Sequence, residues 1–142
     1  MLIRHHEVEP TGHCVTSVSA FLDFALFTRH QSSGILLRVE HPKITILMPC
    51  LNAAATLQAA IDSIRAQTSQ NWELLIADDG STDSSPDIAA VAAASDPRIR
   101  YFPFPRRGVY SALRDTSGLA RAELLAQCDA DDLLAPAAIS ES

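Results

Sequence analysis

The chain alternates short apolar runs with amphipathic stretches from residue 42 onward. Apolar and β-branched residues dominate four runs, at residues 43–48, 72–77, 99–102 and 123–128. Short apolar runs of this kind are typical of strands that are buried in a parallel sheet. The pattern therefore predicts four strands.

Helices are predicted between these strands. After the first strand, apolar side chains repeat at the spacing of one helix face, at Leu57, Ala60, Ile61 and Ile64. This repeat predicts a helix that Asn52 caps and that extends to about residue 68. Pro86 suits the first turn of a second helix, and Gly108 opens a third helix over about residues 109–121.

Strands that alternate with helices across short connections indicate an α/β fold with a mostly parallel sheet. In such sheets, ligands bind beyond the carboxyl ends of the strands. Polar residues follow three of the predicted strands there: Asn52, then Asp78 with Asp79, then residues 129–132. Their convergence predicts a ligand site at one edge of the sheet.

Residues 1–41 differ in character from the rest of the chain. Four of the five histidines fall in the first thirty positions, and the segment shows no strand–helix rhythm beyond one short amphipathic helix predicted over residues 18–27. His5, His6 and His13 lack the regular spacing and the partner carboxylate that would indicate a metal site. We therefore expect an N-terminal extension of unknown role over 1–41, with little contribution to the core, and one domain over 42–142.

Charge narrows the class of protein. The formal net charge is −6, from 17 acidic and 11 basic residues, which disfavours a surface for nucleic acid. Ten of the basic residues are arginine and alanine is abundant, as is common in proteins from GC-rich bacterial genomes.

The cysteines and the apolar runs indicate the cellular compartment of the protein. Cys14, Cys50 and Cys128 are odd in number and widely spaced, so reduced thiols are expected instead of a disulfide framework. No run is long and apolar enough for a transmembrane segment, and no signal peptide is recognised. We expect a cytoplasmic protein. The alternative is a protein that associates peripherally with the inner face of the membrane.

The acidic run at residues 129–132 (DADD) is the first candidate site. Asp129 and Asp131 are separated by one residue on a loop that leaves a predicted strand. Two carboxylates in this arrangement can both reach Mg²⁺ or Mn²⁺, which takes oxygen ligands and completes its shell with phosphate oxygens and water. The alternative is an acidic loop in which Asp132 caps a helix that begins near Leu133.

The run at residues 78–83 (DDGSTD) is the second candidate. Asp78 and Asp79 end the second strand, where a carboxylate can accept hydrogen bonds from a nucleobase imide or from ribose hydroxyls. The alternative is structural, because Asp-Gly favours a turn and Ser81, Thr82 or Asp83 can cap the next helix.

Arginines beside the third predicted helix are the third candidate. Arg106 and Arg107 precede the helix, and Arg114 lies within it. A guanidinium there can bind phosphate oxygens, whereas simple solvation is the alternative for each of the three.

Four segments, read in order, resemble the N-terminal half of the family 2 glycosyltransferases: ITILMPCLNAAATLQAAIDSIRAQT, NWELLIADDGSTD, DPRIRYF and RGVYSALRDTSGLARAELLAQCDADD. The resemblance covers residues 43–134, with every block in the family's order and spacing. It implies the Rossmann-like GT-A fold, a mostly parallel sheet flanked by helices, which in this chain is expected to stop after the DxD loop.

The resemblance also implies a function. Family members bind a nucleotide sugar, most often a UDP-sugar, with Mg²⁺ or Mn²⁺, and transfer the sugar to an acceptor hydroxyl, usually with inversion. A saccharide or lipid-linked acceptor and a role in the biosynthesis of cell envelope polysaccharides are therefore expected.

The family's motifs assign roles by position. Pro49 and Asn52 belong to the block that lines the nucleotide pocket. Asp78 or Asp79 corresponds to the uracil-binding aspartate, with Asp78 favoured, and Arg114 corresponds to an arginine in the segment where the family usually reads Ala-Arg-Asn.

The DxD motif supplies the remaining roles. Asp129 and Asp131 correspond to the metal-binding pair, with Asp131 favoured as the direct ligand and Ala130 between them beside the substrate. Leu113, Asp115 and Ala122 depart from the family pattern.

The resemblance places the catalytic base outside this sequence, beyond residue 142, so no catalytic residue is assigned. The alternative is a non-catalytic nucleotide-binding fragment or remnant. A phosphotransferase of the haloacid dehalogenase type is disfavoured, because its DxD follows the first strand and the motif here follows the fourth.

Overall fold

The computed structural model describes residues 3–4 and 41–139. Its elements are β1 (Ile3–Arg4), β2 (Ile44–Cys50), α1 (Leu57–Arg65), β3 (Trp72–Asp78), α2 (Ser85–Ser95), β4 (Ile99–Pro103), α3 (Val109–Ser117) and β5 (Leu124–Gln127). The helix predicted over residues 18–27 and the histidines at positions 5, 6 and 13 lie outside the described residues.

The strands form one sheet in the order β1-β5-β2-β3-β4. Strands β5, β2, β3 and β4 run parallel to their neighbours, which confirms the predicted α/β fold with a mostly parallel sheet. At the edge, β1 pairs antiparallel with β5, with Ile3 opposite Leu125. The sequence pattern did not predict β1, because a strand of two residues carries no periodicity.

Helices cover both faces of the sheet. The predicted apolar face of α1 is fully buried, and with α2 it packs on alternate residues of β2 and β3, namely Ile46, Met48, Leu74 and Ile76. The intervening strand residues point to the opposite face. There α3 packs on β2 and β3 and buries Ala112 and Thr116.

A buried carboxylate fixes the entry into β5. Glu73 Oε1 accepts hydrogen bonds from Thr45 Oγ1 at 2.7 Å and from the backbone N–H of Arg121 at 2.6 Å. Thr45 Oγ1 in turn accepts from the N–H of Ala122 at 3.2 Å. Because β2 and β3 hold residues 121–122 in this way, the acidic loop that follows β5 starts from a fixed position.

Three predicted helix boundaries are wrong: the start of α1, its end, which is Arg65 and not about residue 68, and the end of α3. Helix α1 begins at Leu57 with Thr56 at its N-cap position, so Asn52 does not cap it. Asn52 has a φ of 50°, and its Oδ1 instead accepts from the N–H of Thr82 at 2.8 Å. Helix α3 ends at Ser117, earlier than predicted, because the chain turns off at Gly118 towards its bond with Glu73.

The helix that the alternative interpretation placed near Leu133 is absent from the described residues 133–139. Asp132 therefore caps no helix there. Its backbone N–H donates to the carbonyl of Asp129 at 3.0 Å, which closes a turn around the acidic run.

Candidate functional site

The polar segments lie at one edge of the sheet. Strand β2 is flanked by β3 and β5, and all three are parallel. Their last residues, Cys50, Asp78 and Gln127, therefore lie at the same edge of the sheet. The segments that follow these residues carry the three candidate clusters. The topology therefore brings them to the edge at which α/β folds bind ligands.

A cleft of about 560 Å³ opens at this edge. Its walls come from the loop after β2, the first turn of α3 and the loop after β5. One wall is apolar and solvent-exposed, formed by Leu51, Val109 and Tyr110, of which Tyr110 is 85% exposed. Asp129 and Asp131 also line the cleft. The cleft thus joins an apolar surface to an acidic one.

The acidic loop presents its carboxylates outward because its backbone alternates. Cys128 and Ala130 are buried in the core cluster, whereas Asp129 and Asp131 between and after them are exposed. Carboxylate oxygens of Asp129, Asp131 and Asp132 lie within 4.8 Å of one another. Burial of the small alanine therefore anchors the loop and directs both flanking aspartates to the cleft.

These carboxylates are largely unengaged by the protein. Asp129 Oδ1 accepts a hydrogen bond from Gln127 Nε2 at 2.8 Å, which orients one side chain. Within residues 41–139, the Asp131 carboxylate has no hydrogen-bond or ion-pair partner. Close carboxylates with free lone pairs repel one another, and their oxygen atoms are the ligands that Mg²⁺ and Mn²⁺ prefer. The donor set fits such a cation.

The neighbouring thiol is not a nucleophile. Burial raises the pKa of Cys128 to about 11, and the negative charges of Asp132, Asp129 and Asp131 act in the same direction. A thiol with this pKa is protonated at neutral pH, and Cys128 packs as a small residue of the core cluster.

The Asp78 carboxylate is buried and hydrogen-bonded to other residues of the protein. The residue is 2% exposed, and its Oδ1 accepts from the N–H and the hydroxyl of Ser81, at 2.9 and 2.6 Å. Its Oδ2 accepts from the Tyr101 hydroxyl at 2.9 Å. Burial raises the pKa of Tyr101 and the hydrogen bond to Asp78 raises it further, so the phenol remains a donor.

Asp79 is equally buried and is directed at another loop. Its Oδ1 accepts from the backbone N–H groups of Arg107 and Gly108, at 2.8 and 3.1 Å, and its Oδ2 accepts from Gly108 N–H at 3.0 Å. The carboxylate therefore binds the connection between β4 and α3.

The rest of the 78–83 run docks on the loop after β2. The N–H groups of Asn52, Ala53 and Ala54 donate to Ser81 Oγ, Ser85 Oγ and Asp83 Oδ2, at 2.9, 2.9 and 3.0 Å. Asp83 Oδ1 also accepts from the N–H of Ser85, the first residue of α2, at 2.9 Å. The N-cap position of α2 is Ser84, without a side-chain capping bond, so the predicted cap by Ser81, Thr82 or Asp83 is not formed. These bonds hold the floor of the cleft in place.

The arginines do not line the cleft. The Arg114 side chain is 76% exposed and pairs with Asp115 at 3.2 Å, while Arg107 pairs with the same carboxylate at 3.0 Å. Helical spacing is the reason, since the cleft-facing residues of α3 are Val109, Tyr110 and Leu113.

The structure divides the predicted site residues. It gathers five of them in the cleft: Pro49, Asn52, Asp129, Ala130 and Asp131. It leaves Asp78, Asp79 and Arg114 out of the cleft lining. The apolar wall was missed, although Val109 and Tyr110 directly follow Gly108 at a predicted helix start, where exposed apolar residues are a usable signal.

Among the described residues, none of the helices has the length and apolar character that a membrane crossing needs.

The chain matches the family model described as Glycosyl transferase family 2 over residues 45–141. It is 33% identical over 98 residues to the putative glycosyltransferase EpsH of Bacillus subtilis (strain 168), a match that covers 69% of this chain and 28% of that protein. In seven other curated relatives the match covers 10% to 37% of their length. The chain thus spans only a part of the length of these proteins.

Solved structures share the fold. The mannosyltransferase PcManGT from Pyrobaculum calidifontis, in complex with GDP-Man and Mn²⁺, superposes with a TM-score of 0.59 at 24% identity, over 85% of this chain and 37% of that one. Residues 1–349 of S. aureus TarS, in complex with UDP-GlcNAc, give a TM-score of 0.55 at 18% identity, over 64% and 27%. At these identities the likeness establishes the GT-A fold.

Proposed function

The chain belongs to glycosyl transferase family 2, and from this premise we propose that it is the donor-binding part of a glycosyltransferase. In this proposal a nucleoside diphosphate sugar, with a UDP-sugar as the first choice, occupies the cleft at the carboxyl edge of the sheet. Its diphosphate is held through Mg²⁺ or Mn²⁺ by Asp129 and Asp131.

One observation carries the proposal. Three exposed carboxylates lie with oxygen atoms within 4.8 Å of one another, and two of these aspartates line a cleft that also has an apolar wall. A nucleotide combines an anionic diphosphate with a flat, weakly polar base. A cation between the carboxylates and the diphosphate, and the base against Leu51 and Tyr110, would match each part of the ligand to one part of the cleft.

The protein's own residues have separate tasks. Gln127 orients Asp129 through its amide, and Asn52 and Pro49 form the floor on which the nucleotide rests. A divalent cation, when bound, neutralises the diphosphate and makes the nucleoside diphosphate a better leaving group. The solved complex of PcManGT with GDP-Man and Mn²⁺ supports this pairing of ligand and cation.

The transfer reaction is proposed for the whole protein. An acceptor hydroxyl, on a saccharide or a lipid-linked saccharide, attacks the anomeric carbon with inversion while a carboxylate base removes its proton. Within residues 41–139, the acidic side chains that line the cleft are Asp129 and Asp131, and both are assigned to the cation. No described residue is therefore assigned as the base. We place this activity in the cytoplasm or at the inner face of the membrane, in cell envelope polysaccharide biosynthesis.

The test is calorimetric titration of UDP into the 142-residue chain with and without Mn²⁺. We expect binding that weakens at least about tenfold without the cation, because the carboxylates would then face the diphosphate directly. Asp131→Asn should remove the dependence on Mn²⁺. Asp62→Asn is the matched control, since Asp62 is an exposed aspartate on α1 that does not line the cleft, and the variant loses the same charge. Equal affinity with and without Mn²⁺ in the wild type would refute the metal role.

The nucleotide is tested in the same way. Titrations of GDP and ADP with Mn²⁺ establish whether the base is uracil, and release of UDP from a UDP-sugar measures turnover. Binding without turnover would favour the non-catalytic, nucleotide-binding alternative for the chain by itself.

A further inference from the structure

The connection between β4 and α3, residues 104–108, is fastened to the carboxyl end of β3. The N–H of Phe104 donates to the carbonyl of Asp78 at 2.8 Å, and the N–H groups of Arg107 and Gly108 donate to the Asp79 carboxylate. A Cβ added to Gly80 would lie 3.0 Å from the nitrogen of Arg106, so the two backbones are in close contact. The end of β3 therefore sets the path of this connection.

Gly108 is required for its conformation. Its φ is 98°, which L side chains rarely adopt, yet a Cβ added there would meet nothing within 4 Å. Helix α3 starts at the next residue, and its Val109, Tyr110 and Leu113 line the cleft. Gly108 is bonded to Asp79 and directly precedes α3. Its position and its φ therefore set the orientation of the first turn of α3.

We propose that Asp79 is a positioning residue for the nucleotide cleft. By holding the N–H groups of Arg107 and Gly108, its carboxylate fixes the apolar wall that the first turn of α3 presents to the base. The inference rests on the proposed function, because the wall matters only if the cleft binds a nucleotide. We name the contact of Asp79 with Arg107 and Gly108 the β3 latch.

The latch differs from a direct contact between Asp79 and the ligand. Asp79 is 2% exposed and does not line the cleft, and both of its oxygens already accept backbone N–H groups. A positioning residue acts through Gly108 and α3. Displacing α3 while the Asp79 carboxylate stays intact should then weaken binding as much as removing the carboxylate.

Four variants of the full chain separate these roles. Asp79→Ala removes the latch, whereas Asp79→Asn keeps one oxygen acceptor and replaces the other by an amide group, which cannot accept from the N–H of Gly108. Gly108→Ala keeps Asp79 but introduces backbone strain at a positive φ. Gly118→Ala is the matched control, because Gly118 has a helical φ of −66° and an added Cβ would find its nearest neighbour at 3.7 Å.

The first readout is hydrogen exchange of the Arg107 and Gly108 amides without ligand. The second is the affinity for Mn²⁺ alone and for UDP with Mn²⁺. We expect Asp79→Ala and Gly108→Ala to speed exchange at both amides and to weaken UDP binding by about tenfold, equivalent to one lost charged hydrogen bond. Affinity for Mn²⁺ alone should not change. Asp79→Asn should give protection and affinity between those of the wild type and Asp79→Ala, because one of the two acceptor oxygens remains. Gly118→Ala should behave as the wild type.

Two results would overturn the inference. One is weakened UDP binding by Asp79→Ala with the amides still protected, which would make Asp79 a direct ligand. The other is normal UDP binding by Gly108→Ala despite rapid exchange at residues 107 and 108. Failure of the wild type to bind UDP with Mn²⁺ would instead refute the proposed function, while the exchange readout alone would still decide whether Asp79 holds the loop.

Discussion

Two pairs of aspartates lie at the same edge of the sheet and differ in burial and in hydrogen bonding. Asp78 and Asp79, after β3, are each 2% exposed, and every carboxylate oxygen accepts a hydrogen bond from the protein. Asp129 and Asp131, after β5, are exposed, and one hydrogen bond from Gln127 is their only contact of this kind within the described chain. We call the first pair the occupied carboxylates and the second pair, with Asp132, the open carboxylates.

The difference shows what separates a structural acid from a ligand site. A buried carboxylate is stable only when hydrogen bonds replace the water that it loses. The occupied carboxylates obtain these bonds from Ser81, Tyr101 and the backbone of residues 107–108, and in return they order two loops. The open carboxylates keep their lone pairs free at the cost of mutual repulsion, which a cation would relieve.

Removing an occupied carboxylate should have the largest effect. We expect Asp78→Ala to lower the free energy of unfolding by about 3 kcal/mol, because it leaves Ser81 and the Tyr101 hydroxyl without their acceptor in a buried site. Asp129→Ala should change it by less than about 1 kcal/mol. Urea denaturation measures both. Tyr101→Phe, which removes one bond but keeps the carboxylate, should lie between them, and equal effects of Asp78→Ala and Asp129→Ala would erase the distinction.

Stabilisation by a bound cation should depend on the open carboxylates and not on the occupied carboxylates. Mn²⁺ at about one hundred times its dissociation constant should stabilise the wild type by about 2.7 kcal/mol, because it binds the folded chain alone. Asp131→Asn should abolish this gain, and Asp79→Asn should keep it. Thermal unfolding at increasing Mn²⁺ is the measurement, and a gain that survives in Asp131→Asn would place the cation elsewhere.

Asp96 is partly buried and lies between the occupied and the open carboxylates in exposure. Its side chain is 13% exposed, and Arg98 Nη2 and Nε bind its two oxygens at 2.8 and 3.0 Å. The hydrogen bonds from Arg98 hold the pKa of Asp96 below its ordinary value of 3.8. A lowered pKa in the folded state gives stability that is present above the unfolded pKa and is lost as the pH falls through the folded pKa.

Asp96→Asn should therefore lower stability at neutral pH by about 1 kcal/mol and flatten the acid side of the stability curve. Denaturation from pH 7 down to about pH 2 tests this expectation. A variant whose stability falls with acid as steeply as the wild type would show that Asp96 is not responsible.

The smallest effect is expected from the repulsion among the open carboxylates. Without a cation, Asp132→Asn should stabilise the fold by less than about 1 kcal/mol at low ionic strength, and about 1 M salt should remove the gain. Asp115→Asn is the control, because Asp115 has Arg107 and Arg114 as partners and its neutralisation should not stabilise the fold. A loss of stability in Asp132→Asn would contradict the assignment of a repulsive cluster.

Most of the fold could be predicted from the sequence. The strand positions, the buried face of α1 and the parallel direction of neighbouring strands follow from apolar periodicity and from the geometry of strand–helix connections. Helix ends could not be predicted as well. Asn52 is a good capping residue, but it is held by Thr82, thirty positions later, and α3 stops where Glu73 captures the N–H of Arg121.

The sequence by itself determined that aspartates would stand at the carboxyl edge of the sheet, and the DxD spacing identified Asp129 and Asp131 as candidate metal ligands. Only the tertiary structure decided which acids remain free to bind anything. Asp78 meets Tyr101, and Asp79 meets Gly108, through contacts between residues more than twenty positions apart. Local patterns cannot encode such contacts, because whether a carboxylate oxygen is occupied depends on donors that reach it only after the chain has folded.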